Sequence, residues 1–141
     1  IQADRTNYYN GAIPVDPAIR AGRLLTGADF DTESFRRAPD GSYYFGDEFG
    51  PYVVHVDSNF KVIGDAVALP GVFAPENNAG QPANLPGSGG FEGFTIMPGG
   101  KTAYALLEKT VAGDPAGQLR LHAINLADRK WSLAKVTQPP S

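Results

Sequence analysis

Apolar and polar residues alternate in short runs along most of the chain, and glycine, proline, asparagine and aspartate cut the runs apart. A period of two is what a half-buried strand requires, because successive side chains point to opposite faces of a sheet. Such runs cover Phe35–Ala38, Ser42–Phe45, Tyr52–Asp57 and Lys61–Leu69, with Pro39-Asp40-Gly41 and Ser58-Asn59 as turn residues. The order then recurs in Gly93–Met97, Lys101–Leu107, Leu119–Leu126 and Trp131–Val136, separated by Pro98-Gly99-Gly100, a Gly/Pro loop over 112–118, and Ala127-Asp128-Arg129. The pattern therefore predicts four strands, twice. No long window keeps the 3.6-residue period of a helix; only DPAIRAGRLL, residues 16–25, suits a turn or two.

The recurrence extends to individual residues. Glu33, Phe35, Pro39 and Gly41 match Glu92, Phe94, Pro98 and Gly100 at a constant offset of 59. One inserted residue raises the offset to 60, at which Tyr44 and Glu48 match Tyr104 and Glu108, and a longer loop raises it to 68, pairing Val56-Asp57 with Ile124-Asn125. A unit of four antiparallel strands repeated about every 60 residues fits the blades of a β-propeller. An eight-stranded β-sandwich is the alternative. The expected fold is all-β, a propeller portion of two blades plus part of another. On this reading the whole chain, 1–141, belongs to one domain, with blade units at 29–69 and 91–137. The Pro/Gly-rich segment 70–90 between them is either a plain connector or part of a rim over a site. Two blades cannot close a ring that usually takes about four or more. The chain is thus expected to be incomplete alone: a fragment, part of a cleaved chain, or a unit completed by another chain, with open faces that expose apolar surface. Ile1 in place of Met points the same way.

Composition narrows the function. With 141 residues, 42% hydrophobic and 11% aromatic, there is material for one domain with a real core. A net charge of −3 provides no positive field for nucleic acid. No apolar run approaches the roughly 18 residues of a membrane span. The absence of cysteine excludes disulfides, thiolate nucleophiles and zinc–sulfur sites, and leaves the compartment open.

The acids carry the candidate chemistry. Glu33 and Glu92 open their units, where the innermost strand of a blade faces the central channel, while Asp47-Glu48 and Glu108 end the second strand of each unit. Carboxylates that converge repel one another unless a hard cation or a proton compensates, and an all-oxygen donor set suits calcium. Asp31, Glu33, Asp47, Glu48, Glu92 and Glu108 are the candidate ligands. Asp29 and Asp31, two apart, would share a strand face. Against this stands the local reading, in which each acid caps a turn, bonds backbone amides or pairs with a basic side chain. Asp40 belongs to turn chemistry beside Gly41. His55 and His122 occupy different phases of their strands and read as structural; Lys101 and Lys109 read as solvated, and Tyr43, Tyr44, Phe45, Phe49, Phe91, Phe94 and Tyr104 as packing. Trp131 is expected to be partly exposed on an outer strand. Ser34 lacks a G-x-S-x-G setting, and neither a P-loop nor a strand-borne G-x-G-x-x-G occurs.

Two long stretches, GADFDTESFRRAPDGSYYFGDEFGPYVVHVD at 27–57 and GGFEGFTIMPGGKTAYALLE at 89–108, are similar to the phytase-like family described as having esterase-like activity. The similarity runs from about Thr26 to Glu108. In the second stretch, Ser88-Gly89-Gly90 lacks the arginine that often precedes the family motif, and Pro98-Gly99-Gly100 replaces Pro-Asp-Gly. The resemblance implies a propeller that uses calcium, exported to the periplasm or the extracellular space, and hydrolysis of phosphate or related small-molecule esters. It further implies that Glu33 and Glu92 act in catalysis, that the acids hold calcium, and that Arg37, which matches a family arginine, clamps a phosphate or carboxylate. A salt bridge from Arg37 to one of the acids is the alternative. A non-catalytic, metal-stabilised binding module is the competing functional class, and a sugar-lactone hydrolase a third.

Overall fold

A computed structural model describes residues 30–77 and 79–137. The helical expectation for 16–25 and the candidate Asp29 lie outside these residues. Within them the protein is all-β, with eight strands in two antiparallel sheets. The first sheet contains β1 (Thr32–Arg37), β2 (Tyr43–Asp47), β3 (Tyr52–Val56) and β4 (Val67–Ala68), each strand paired with the next. The second contains β5 (Phe91–Ile96), β6 (Thr102–Leu107), β7 (Leu119–Asn125) and β8 (Trp131–Thr137), in the same order. Each sheet is a meander of the kind that forms a propeller blade. Two such sheets are consistent with part of a propeller. No described helix is long and apolar enough to cross a membrane.

The register reproduces the sequence repeat. Tyr43 faces Val56 across β2/β3, and its counterpart Ala103 faces Ile124 across β6/β7, so the offsets of 60 and 68 belong to equivalent ladder positions. The first turns match as well. Ala38 N donates to Ser42 O and Met97 N to Thr102 O, both at 2.8 Å, and Gly41 and Gly100 each donate to the residue three back at 3.0 Å. Gly41 (φ 87°) and Gly100 (φ 70°) occupy left-handed positions that a side chain rarely adopts, which is why both turns carry glycine. Asp57 and Asn125 open the third turns, each accepting backbone amides on its side-chain oxygen.

Two boundaries differ from the pattern. Strands β1 and β5 begin before Phe35 and Gly93, because each is bulged: the register shifts between Thr32 and Ser34 and between Phe91 and Gly93. The fourth strand of the first unit, expected over Lys61–Leu69, shrinks to Val67–Ala68 plus a single bridge from Val56 to Val62. Gly64, at φ 69°, interrupts the run, and Arg129 from the second sheet packs beside it and donates to Asp65 O.

The two sheets meet on a shared core. Tyr44 and Val53 from the first sheet pack with Phe91, Phe94, Ala103, Ala105, Leu107 and Ile124 from the second. Segment 70–90 contributes to this core, since Val72 and Leu85 are buried in it, while the Asn84 side chain bonds the backbone of Gly71 and Phe73. It is a packed connection that ends with Gly90 against Glu48. On the opposite face of the first sheet, the Phe30, Phe45, Phe35, Tyr43 and Phe60 rings form a continuous row with neighbouring centroids 4.9 to 6.3 Å apart. Phe35 and Phe60 remain 42% and 46% exposed, so this face carries apolar surface.

Candidate metal centre

The bulges aim the acids. A bulge places two residues of one strand opposite one of its partner and re-aims the extra side chain. Glu33 and Glu92 are those extra residues, at matching positions in β1 and β5. Immediately after β2, Glu48 N donates to Asp31 O at 3.0 Å, which extends the β1/β2 ladder by one bond beyond the Thr32–Asp47 pair. In consequence Asp31, Glu33 and Glu48 each offer a carboxylate oxygen within 4.8 Å of the others. Asp31 and Glu33 are exposed, whereas Glu48 is buried. The Glu33 carboxyl is raised above its ordinary range, first by lost hydration, then by a hydrogen bond with Glu48 and repulsion from Glu48, Asp31 and Glu92. Glu92 therefore adds its charge to the cluster from the second sheet. A hard cation would relieve this repulsion, and three carboxylates are a donor set that suits one.

The other sequence candidates fall elsewhere. Glu108 is exposed and repeats the backbone bond of Glu48, donating to Gly90 O at 3.0 Å, but the position matching Asp31 is Gly90, so the second corner has no third carboxylate. Asp47 is fully buried: Oδ1 accepts the amide of Asp31 at 2.9 Å and Oδ2 that of Gly50 at 3.1 Å. Arg37 stands at the other end of β1, with its guanidinium beside Gly41. It lies four positions along the strand from Glu33, roughly 13 Å at the usual rise.

Ser34, Ser42 and His55 serve structure. Ser34 Oγ donates to Phe91 O at 2.7 Å, tying β1 to β5. Ser42 Oγ donates to Asp40 Oδ1 at 2.6 Å and lies 2.9 Å from His55 Nε2. In a serine hydrolase the carboxylate orients the histidine and the histidine takes the serine proton. Here the carboxylate takes the serine bond itself, and His55 Nε2 is left to donate to Ser42 Oγ. The chain Asp40–Ser42–His55 thus braces the first turn against β3. Sequence reading found the turn and missed its tie to His55, which comes from the third strand, stacked 4.0 Å from Tyr44.

Two buried groups have opposite proton balances. Burial pushes the Asp47 carboxyl up to about 7, over the opposing pull of the Asp31, Gly50 and Phe49 amides. Burial, with Arg120 nearby, holds the His122 imidazole down at about 4. For Asp47, raised from 3.8, stability is present below pH 3.8 and lost as pH rises through about 7. For His122, lowered from 6.5, stability is present above pH 6.5 and lost as pH falls through about 4. Between these limits unfolding releases one proton and takes up another, so the two slopes cancel. Replacing His122 with leucine removes one of them. Relative to the parent, the variant should lose on the order of 1 kcal/mol per pH unit from pH 4.5 to 6.5 in urea titrations. Parallel pH profiles for the two proteins would contradict this.

The fold and the site together define an all-β protein of repeated four-stranded sheets with a carboxylate cluster at the corner where the sheets adjoin. The family model for phytase-like proteins, described as esterase-like activity of phytase, matches residues 4–140, and the chain belongs to that family. No curated protein and no solved structure matches it. The family suggests a function of the phosphate- or ester-hydrolase kind.

Proposed function

We propose that Asp31, Glu33 and Glu48 hold a calcium ion and that the protein hydrolyses phosphate or related small-molecule esters at that corner. The observation that carries this reading is the convergence of three carboxylates within 4.8 Å of one another beside a fourth charge, Glu92. A cation bound there would polarise the ester and lower the pKa of a bound water. Glu33, the extra residue of the β1 bulge, would serve there as a ligand, its charge offset by the cation. Glu92, on the matching bulge, is exposed and available to accept a proton from water. Arg37 has no part in this proposal, because it lies at the far end of β1. Further blades, in the same chain or another, would cover the exposed aromatic face of the first sheet. An exported protein fits the family resemblance.

A calcium-stabilised module that binds without turnover is the second reading, favoured by the placement of Arg37 away from the cluster. Hydrolysis of p-nitrophenyl phosphate by the intact protein, with calcium and with a chelator, separates the two. Turnover should fall by at least about 100-fold on chelation and equally in Glu33→Gln, the scale of a lost transition-state contact. Chelation that lowers the melting temperature of a protein with no turnover would support the scaffold. Turnover of lactones with indifference to phosphate esters would redirect the substrate class.

A further inference from the structure

We infer that Asp47 is a positioning residue that holds the carboxylate cluster in shape, and is not one of its ligands. The inference rests on the cation-site reading above. Its first support is the use of the Asp47 oxygens. Both face backbone amides, Asp31 N at 2.9 Å and Gly50 N at 3.1 Å, and the side chain is fully buried. Asp31 and Glu48 are also joined directly, through the bond from Glu48 N to Asp31 O. Asp47 therefore closes a ring of contacts: it grips the backbone of one cluster residue and the turn that follows another. Without it, the amides of Asp31 and Gly50 would lose their acceptors, and two of the three carboxylates would hang from a loosened backbone.

The second support is the repeat, which supplies an internal control. The position matching Asp47 is Leu107, likewise 0% exposed, and the position matching Asp31 is Gly90. The backbone bond from Glu108 N to Gly90 O is kept nonetheless, at 3.0 Å. The corner itself can thus be built without a buried acid. Of the two units, the one with the third carboxylate is the one with the acid beneath it. Groups that orient ligands without touching the ion commonly change affinity by 10–100-fold.

Calcium titration calorimetry on the intact protein, with amide hydrogen exchange, tests this. Glu33→Gln should weaken calcium binding by more than about 100-fold and leave exchange at Asp31 and Gly50 unchanged. Asp47→Asn, which keeps the size but loses an acceptor, should weaken it about tenfold with the same stoichiometry and speed exchange at both amides. Ile124→Ala, at the far end of the sheets, sets the baseline for general destabilisation and should leave calcium affinity within twofold. A loss in Asp47→Asn as deep as in Glu33→Gln makes Asp47 a ligand and overturns the inference; a loss no greater than the baseline overturns it too. If Glu33→Gln binds calcium like the parent, the cation reading fails, and this inference with it. Should Asp47→Asn not fold, crystals of the parent soaked with a lanthanide decide. An ion on Asp31, Glu33 and Glu48, with Asp47 still on the two amides, supports the assignment; an ion within about 2.6 Å of an Asp47 oxygen refutes it.

Discussion

Replacing Phe91 with alanine is expected to cost about 3–5 kcal/mol of stability, the usual range for a large aromatic removed from a filled core. Phe91 is fully buried, opens β5 and stacks on Trp131 at 5.3 Å between ring centroids. Its ring packs in the core that joins the two sheets, so truncation leaves a cavity that neither rigid sheet can close. The backbone carbonyl that receives Ser34 Oγ survives the change, which confines the loss to packing. Thermal unfolding of the intact protein should show a melting temperature lower by roughly 10–20 °C for a domain near this size. Leu133→Ala, at a side chain 55% exposed, should stay within about 0.5 kcal/mol of the parent. Equal losses in the two variants would show that the shared core is misplaced.

Gly90→Ala should damage stability and the site together. A Cβ at Gly90 would lie 2.8 Å from Asp47 O and closer still to Glu48 Cα, and backbone atoms cannot step aside by changing rotamer. The added methyl must push β5 away from the corner that carries Glu48, at about 1–3 kcal/mol for overpacking of this kind. Because Glu48 is one of the three converging carboxylates, calcium affinity should fall in the same variant. Gly87→Ala is the control: its nearest neighbour is Pro75 Cγ at 3.9 Å, an ordinary contact. Calorimetric calcium titration and thermal melts of both variants check the pair. A Gly90→Ala protein that keeps parental calcium affinity would detach the corner from the site.

Much of this architecture is legible in the sequence. The eight strands follow from period-two runs and from turn residues whose local chemistry is nearly independent of context, as at Gly41 and Gly100. The repeat was legible because equivalent strands impose equivalent patterns. Glu33 and Glu92 were legible as a matched pair for the same reason. The apolar pattern extends the fourth strand of the first unit over Lys61–Leu69 because Val62, Ile63, Val67 and Leu69 recur across it, yet Gly64-Asp65 breaks the run, and Arg129 reinforces the break by donating to Asp65 O, 64 residues away in sequence.

By itself the amino-acid sequence determined the all-β class, the two repeated units and the family, since each is written in local periodicity or in ordered motifs. Only the tertiary structure decided which acids stand together. Asp47 and Glu48 are adjacent in sequence, yet one is enclosed by backbone amides and the other turns toward Asp31 and Glu33. That division depends on two strand bulges and on the approach of Gly90 to Glu48. The physical reason is range: a turn or a strand period is set within a few residues, whereas the charge and hydration of a carboxylate are set by whatever the fold brings within a few ångströms of it.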